Sequence, residues 1–293
     1  MAENKIEGLG VALVTPFSTD LSIDFNGLER VLQHVIDGGV DYIVVLGTTA
    51  ETPTLSKIER IKVIDFVREK VSGRLPLVIG VGGNCTNGVL EDIQSLNLDG
   101  YSAILSVAPY YNKPTQSGLY QHFREISKAS KLPVILYNVP GRTGVNISAD
   151  TTIKLSQDCL NIYGIKEASG NTEQWNNIHE KSRTGFNLIS GDDAATIQMM
   201  KIGASGVISV LANACPAQVK KVVNLCHKNR FDEALESHDL LKNLISSLFE
   251  EGNPAGVKAI LSEMGLIQNK LRLPLTPVSD GLYNKIKKEV SLL

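Results

Sequence analysis

A lysine at the end of an apolar run is the residue whose position most clearly suggests chemistry. Lys166 directly follows Ile162-Tyr163-Gly164-Ile165, where burial of a charged amine is unfavourable unless it is paired. Burial favours the neutral amine, which is the nucleophilic form, and such an amine can form a Schiff base with a carbonyl substrate. The alternative is a structural lysine that pairs with a carboxylate such as Glu167.

A tyrosine ends the preceding apolar run. If the two runs are neighbouring parallel strands, Tyr137 lies beside Lys166. A phenol in that position can move protons between an amine, a carbinolamine and solvent. The alternative is a tyrosine with an apolar ring and a solvated hydroxyl, which is a common arrangement.

Two further segments carry groups that could bind carboxylates. Gly47-Thr48-Thr49 ends an apolar run, and its two hydroxyls and the backbone N–H groups that follow could hold an anion. Arg142 lies in the segment NVPGRTG, where a guanidinium suits a second carboxylate. The alternatives are an ordinary loop start at Gly47 and an exposed loop arginine.

The elements that must position these residues repeat along the chain. Eight short apolar runs alternate with amphipathic stretches, and the continuous apolar character is typical of parallel strands buried on both faces. The pattern predicts a (β/α)8 barrel, with a doubly wound sheet as the competitor. In a barrel the carboxyl ends of the strands form the catalytic face. The runs begin at Leu9, Tyr42, Leu77, Tyr101, Pro133, Ile162, Asn187 and Gly206.

The chain is longer than the predicted barrel. A helix from Pro216 to about Lys228 completes the eighth unit, so we expect a catalytic barrel over residues 1–228. Residues 229–293 form further helical patterns. We expect this C-terminal extension to serve assembly.

Composition excludes several classes of function. The 293 residues are 43% hydrophobic and carry 29 basic and 31 acidic side chains, a net charge of −2. These values argue against a disordered chain or a nucleic-acid-binding protein. The four cysteines show no CxxC pairing, which favours reduced thiols. The N-terminal residues lack the apolar segment of a signal peptide, and no apolar run reaches the ~20 residues that span a bilayer. We therefore expect a cytoplasmic protein.

The sequence lacks the usual signatures of bound cofactors and metals. Gly80-Val81-Gly82-Gly83 resembles a dinucleotide loop, but Cys85 stands where the third glycine is needed. None of the five histidines ends an apolar run, and the spacings HxxxH and HExxH are absent. We therefore expect neither a metal nor a bound cofactor.

At these residues the chain resembles the dihydrodipicolinate synthase family, within the pyruvate-dependent class I aldolases that also include N-acetylneuraminate lyase. The resemblance extends from GVALVTPF to LRLPLTPVSD and includes GTTAET, APYYNKPTQSGLYQHF, ILYNVPGRTG, IYGIKEASGN, SGDDA and GVISV. It implies a barrel with C-terminal helices that assembles as a tetramer, a dimer of dimers. It also implies the condensation of pyruvate with L-aspartate 4-semialdehyde, the first committed step of lysine biosynthesis through diaminopimelate.

The resemblance implies a role for each matching residue. Lys166 would form the imine with pyruvate, and Tyr137, Thr48 and Tyr111 would relay protons, with Tyr111 reaching into the neighbouring subunit's site. The residues implied to bind substrate are Thr49 beside the pyruvate carboxylate, Arg142 on the carboxylate of the second substrate, and Gly191 and Ile208 along the pocket.

A possible regulatory site follows from the same resemblance. Asn84 and Tyr110 match positions at which many family members bind inhibitory L-lysine. Lys57 stands where some lysine-sensitive members have His, and Gly88 stands where they have Glu. Because an acidic partner for the lysine amine is missing, we expect weak or absent inhibition.

Two other functions remain as alternatives. A sister aldolase would cleave a 2-keto-3-deoxy sugar acid or N-acetylneuraminate, and a chain lacking Arg142 would have favoured it. A non-catalytic barrel could bind a keto acid as a sensor. The set Thr48, Tyr111, Tyr137 and Lys166 argues against a sensor, because a binding protein needs no imine-forming amine.

Overall fold

The computed structural model describes residues 6–292. Eight parallel strands form a closed barrel in sequence order, with β1 paired to β8. This confirms the predicted fold and excludes the doubly wound sheet. The strands are β1 Gly8–Ala12, β2 Tyr42–Val45, β3 Leu77–Gly80, β4 Ala103–Val107, β5 Val134–Asn138, β6 Ile162–Glu167, β7 Asn187–Ser190 and β8 Gly206–Ser209.

Nine helices lie between or directly after these strands within residues 6–292. Their caps follow from local sequence: Ser56 and Glu59 form the capping box expected before α2, with each side chain bound to the other residue's backbone N–H. The helices are α1 Phe25–Asp37, α2 Lys57–Val71, α3 Thr86–Ser95, α4 Gln116–Ala129, α5 Pro140–Thr143, α6 Ala149–Asp158, α7 Thr172–Lys181, α8 Thr196–Ile202 and α9 Pro216–His227.

Both faces of the strands are buried, which explains their continuous apolar sequence. One set of alternate residues, such as Ile43, Ile79 and Leu136, packs in the large core between strands and helices. The other set, such as Val44, Val78 and Ile135, forms a second core that includes residues from seven of the eight strands. The strands therefore position residues at their carboxyl ends on a rigid support.

Within residues 6–292, four α-helices follow the barrel, in the region where the C-terminal pattern predicts helix. α10 packs on α9, and α11, α12 and α13 pack on one another. The division at residues 228 and 229 stays a prediction, and its outer limits, 1 and 293, lie outside the described residues. So do residues 1–5, half of the N-terminal segment on which the signal-peptide prediction rests. These helices are α10 Phe231–Asp239, α11 Lys242–Glu250, α12 Ala255–Glu263 and α13 Asp280–Val290.

The segment Gly47-Thr48-Thr49, which the sequence placed at the end of a strand, is not part of β2 in the structure. β2 ends at Val45, and Thr48 and Thr49 lie in a 3-10 turn, Thr48–Ala50. The strand stops because Leu46 turns to a left-handed conformation with φ 56°. Thr48 and Thr49 therefore lie beyond the strand and not at its end.

No helix within residues 6–292 is long and apolar enough to cross a membrane. All four cysteines are free thiols, three of them buried. Across the described part of the chain, no group of three or more His, Cys, Asp or Glu side chains could hold a metal ion.

Candidate active site

Lys166 and Tyr137 are direct neighbours across the barrel wall. They are register partners on β5 and β6, and the Lys166 Nζ lies 4.4 Å from the centroid of the Tyr137 ring. Both side chains are buried, with 4% and 6% of their surface exposed. They line a common cavity of about 680 Å³ at the carboxyl ends of the strands, here called the Lys166 cavity. The predicted pair therefore meets at one site.

Lys166 does not pair with Glu167. The Glu167 carboxylate accepts hydrogen bonds from Asn138 Nδ2 at 2.9 Å, Gln174 Nε2 at 2.9 Å and the Ser169 backbone N–H at 2.6 Å. Among the residues that the structure describes, no hydrogen bond or ion pair involves the Lys166 amine. The structure thus does not support the structural alternative for this lysine.

The two threonines after β2 serve different cavities. Thr49 is buried and lines the Lys166 cavity. Thr48 lines an adjoining cavity of about 400 Å³, here called the Tyr110 cavity because that side chain also lines it. Tyr137 and Arg142 line both cavities. The turn therefore places one threonine in each of two cavities that Tyr137 also lines.

Arg142 lies on the short helix α5, directly after β5. Its side chain is exposed, and its guanidinium donates to the Asn253 backbone oxygen at 3.3 Å. The Asn253 side-chain amide in turn donates to Thr49 Oγ1 at 3.0 Å. A carboxylate in the Lys166 cavity could therefore contact the Arg142 guanidinium and the Thr49 hydroxyl. Both groups hydrogen-bond to Asn253.

The two predicted pocket positions differ in the structure. Gly191 lines the Lys166 cavity, and a Cβ there would lie 3.2 Å from Lys166 Cε and 2.9 Å from Ala168 Cβ. A larger residue would therefore crowd Ala168 and the Lys166 side chain. Ile208 is 1% exposed and packs in the second core, which also contains Tyr137, and it is not among the residues that line this cavity.

The chain shares sequence and fold with characterised proteins over almost its whole length. A profile of the dihydrodipicolinate synthetase family matches residues 5–293. The chain belongs to this family. A 4-hydroxy-tetrahydrodipicolinate synthase of Parabacteroides distasonis is 49% identical, with 98% of this chain and 97% of that protein covered.

Solved structures agree with this family assignment. A dihydrodipicolinate synthase of Thermotoga maritima matches with a TM-score of 0.95 and 38% identity, over 98% of this chain and 99% of the other. A chloride-inhibited dihydrodipicolinate synthase of Acinetobacter baumannii, complexed with pyruvate, matches with a TM-score of 0.94 and 39% identity, over 99% and 100% of the two chains. The resemblance seen in the sequence motifs is thereby confirmed.

Three residues that the family resemblance singles out remain: Tyr111, Tyr110 and Asn84. Tyr111 is 84% exposed, has φ 75°, and lines neither cavity. Tyr110 lines the Tyr110 cavity, whereas Asn84 is exposed in the loop before α3 and lines neither. A single chain therefore does not bring Tyr111 to Tyr137.

Sequence reasoning missed the contribution of the C-terminal helices to the site. Ile245, Ser246 and Phe249 of α11, together with Asn253, line the Lys166 cavity. No local pattern marks them, because Asn253 meets Thr49 across 204 positions of sequence. The segment expected to serve assembly thus also encloses the site.

A buried carboxylate follows β7. Asp193, after β7, accepts hydrogen bonds from Ser209 Oγ and from the backbone N–H groups of Val210 at 2.9 Å and Leu211 at 3.2 Å. Burial raises the pKa of Asp193, against the effect of these donors. It ties the loop after β7 to the end of β8.

Proposed function

We infer that the protein is a lyase that condenses pyruvate with L-aspartate 4-semialdehyde to give 4-hydroxy-tetrahydrodipicolinate, the first committed step of lysine biosynthesis through diaminopimelate. The observation that carries this inference is the amine of the buried Lys166, which has no hydrogen bond or ion pair within residues 6–292 and lies beside Tyr137 in one cavity. The family membership and the names of relatives at 49% identity support the same reaction.

The reaction begins with pyruvate. The Lys166 amine attacks the ketone carbon and forms a carbinolamine, which loses water to give a protonated imine. Tyr137 supplies and removes the protons of this step, with Thr48 and Tyr111 completing the relay. The Tyr137 ring lies against the Lys166 amine, so the Tyr137 hydroxyl can exchange protons with groups bonded to Nζ.

The second stage forms the carbon–carbon bond. The protonated imine withdraws electrons, so the methyl group loses a proton and an enamine results. The enamine carbon attacks the aldehyde carbon of aspartate semialdehyde, and the aldehyde oxygen takes a proton. The substrate's own amine then displaces Lys166 from the imine, which closes the ring and frees the enzyme.

Carboxylate binding supplies the orientation. We propose that Thr49 holds the pyruvate carboxylate and that Arg142 receives the carboxylate of the semialdehyde. Gly191 leaves room for the bound imine, since a Cβ would lie 3.2 Å from Lys166 Cε. Ile208 supports the floor of the site from within the barrel. The reaction needs no cofactor or metal.

The site's second-substrate side distinguishes this reaction from that of the sugar-acid aldolases. A polyol aldehyde carries no carboxylate at the position that Arg142 would bind. Arg142 lines both cavities beside Tyr137. This cation favours an acidic aldehyde over a polyol.

Assembly would complete the relay. Tyr111 is 84% exposed and φ 75° turns its backbone at the barrel mouth. We propose that it reaches the cavity of a second copy within a homotetramer built as a dimer of dimers. We further propose that the enzyme acts in the cytoplasm and that residues 229–293 serve both assembly and site closure.

A substrate comparison tests the function. The purified protein is incubated with pyruvate and either L-aspartate 4-semialdehyde or a polyol aldehyde, and consumption of pyruvate is followed. We expect consumption with the semialdehyde only. Consumption with the polyol aldehyde alone would identify a sugar-acid aldolase, and binding of pyruvate without turnover of either aldehyde would identify a sensor.

A further inference from the structure

A fully buried ion pair links the C-terminal helices to the threonine turn. Lys258 on α12 and Glu51 are both 0% exposed in their side chains and form a charged hydrogen bond. Lys258 also donates to the Lys270 backbone oxygen at 3.0 Å. The second Glu51 oxygen accepts from the Arg272 backbone N–H at 3.1 Å. Both Glu51 oxygens are therefore held by residues beyond the barrel.

Glu51 occupies a strained point of the backbone. It has φ 53° and ψ 34°, the left-handed conformation, directly after the turn Thr48–Ala50. Its N–H donates to the Thr48 backbone oxygen at 3.2 Å. Residues with a Cβ avoid this conformation, which persists only where the surroundings enforce it. The contacts of the carboxylate supply that enforcement.

A second tether holds the same turn. Asn253 Nδ2 donates to Thr49 Oγ1 at 3.0 Å, and the Asn253 backbone oxygen accepts from Arg142 at 3.3 Å. Asn253 lies five positions before Lys258 and two before α12 begins at Ala255. Asn253 and Lys258 therefore bind the turn at two points, the Thr49 hydroxyl and Glu51 directly after the turn.

The energetics favour a role in geometry. A buried ion pair adds little net stability over apolar residues of the same volume, because both charges lose their hydration. Burial lowers the pKa of Lys258 to about 8 despite the opposing effect of Glu51. Nζ also lies 4.1 Å from the centroid of the Phe17 ring, which adds a favourable contact for the cation.

We propose that Lys258 and Glu51 are positioning residues of the reaction, and that their buried pair fixes the turn so that Thr48 and Thr49 face their two cavities beside Tyr137. The inference rests on the proposed function. The turn carries one relay hydroxyl and one carboxylate-binding hydroxyl, so a shift of the turn would disturb both. Lys166 lies on β6 and has no hydrogen bond or ion pair with Lys258 or Glu51.

The test compares ion pairs at opposite ends of the same strand. Lys258→Met breaks the pair that follows β2. Lys220→Met breaks the Lys220–Asp41 pair, with N···O distances of 2.5 and 2.6 Å, directly before β2. For each variant we would measure KM for pyruvate, kcat, the melting temperature, and hydrogen exchange of residues 48–54. Assays are run well below the melting temperatures.

If Lys258 positions the turn, its loss should affect the reaction rate and imine formation differently. Lys258→Met should lower kcat/KM by roughly 10- to 100-fold, because a small displacement of a binding group disturbs the reacting geometry. Saturating pyruvate with borohydride should still label Lys166 fully. Exchange should rise in residues 48–54. Lys220→Met should keep wild-type kcat/KM and wild-type exchange in that segment.

Glu51→Gln covers the case in which Lys258→Met does not fold. The amide keeps the shape of the side chain and an acceptor for Arg272, but it loses the charge that binds Lys258. Wild-type KM, kcat and exchange in a folded Glu51→Gln or Lys258→Met variant would overturn the proposal, as would an equal loss of kcat/KM in Lys220→Met. A wild-type protein without turnover would instead refute the proposed function, while the exchange data would still decide whether the pair holds the turn.

Discussion

The Lys166 amine lies 4.4 Å from the centroid of the Tyr137 ring, and the two residues are register partners on adjacent strands. The relationship is set by backbone pairing, so it does not depend on a flexible loop. The amine has no hydrogen bond or ion pair within residues 6–292. A proposed nucleophile and a proposed proton donor thus lie side by side on the barrel wall.

Removal of the Tyr137 hydroxyl should slow the reaction with little effect on the fold. In Tyr137→Phe we expect kcat to fall by about 10²–10⁴, the usual contribution of a positioned acid or base. The melting temperature should stay close to that of the wild type, because no hydrogen bond of this hydroxyl is found in the described part of the chain. Steady-state assays and thermal unfolding check both.

Tyr42→Phe is the matched control for that experiment. Tyr42 lies on β2 in the same interior core, and its buried hydroxyl has no hydrogen-bond partner among residues 6–292. Its removal should leave kcat unchanged. An equal loss of kcat in both variants would mean that the Tyr137 effect is structural.

Loss of the Arg142 guanidinium should weaken binding of the semialdehyde alone. In Arg142→Ala we expect KM for aspartate semialdehyde to rise by roughly 10- to 100-fold, since a charged hydrogen bond contributes about 1.5–3 kcal/mol. Imine formation with pyruvate should proceed as in the wild type. Arg230→Ala, which removes an exposed ion pair with Glu233 on α10, is the control. Unchanged kinetics in Arg142→Ala would contradict the assigned role.

A methyl group at residue 191 should obstruct the amine. The added Cβ of Gly191→Ala would lie 3.2 Å from Lys166 Cε and 2.9 Å from Ala168 Cβ, closer than ordinary van der Waals contact. We expect imine formation with pyruvate to slow by tenfold or more, because one extra methyl group in a well-packed site strains its neighbours. Gly281→Ala on α13 meets only Ser279 Oγ at 3.9 Å and should keep the wild-type rate. Fast imine formation in Gly191→Ala would show that the amine moves freely.

Acid should destabilise the protein through His122. Burial lowers the pKa of His122 to about 4, whereas an unfolded histidine titrates near 6.5. Between these values the unfolded chain binds a proton that the folded chain does not, so stability falls as pH falls from about 6.5 to 4. The loss is about 2–3 kcal/mol.

Denaturant unfolding at several pH values measures that loss. In His122→Gln the fall in unfolding free energy over this window should shrink, while in His227→Gln, an exposed position on α9, it should match the wild type. An unchanged slope in His122→Gln would show that other groups cause the acid sensitivity.

L-lysine should inhibit weakly or not at all. Gly88 and Lys57 stand at the proposed regulatory positions near Asn84 and Tyr110, so the amine of a bound lysine would lack an acidic partner. Steady-state rates at increasing L-lysine measure this, with Gly88→Glu as the variant expected to gain sensitivity. Potent inhibition of the wild type would refute the expectation.

The barrel and its central pair could be predicted from sequence because both depend on local patterns. Continuous apolar runs marked the strands, and the order of two neighbouring runs placed Tyr137 beside Lys166. The position of the threonine turn could not be predicted. It depends on left-handed conformations at Leu46 and Glu51, which are not glycines.

The contribution of α11 and α12 could not be predicted for a different reason. Lys258 meets Glu51 across 207 positions of sequence, and Asn253 meets Thr49 across 204. Such contacts depend on how the C-terminal helices pack over the barrel mouth. An amphipathic pattern indicates that a helix packs, but not which residues it meets.

The central claim is that Lys166 forms a Schiff base with pyruvate. The most direct measurement is the intact mass of the protein after incubation with pyruvate and reduction with borohydride, in the wild type and in Lys166→Ala. The account predicts one reduced pyruvate adduct per wild-type chain and none in the variant. Absence of the adduct from the wild type, or its survival in Lys166→Ala, would contradict it.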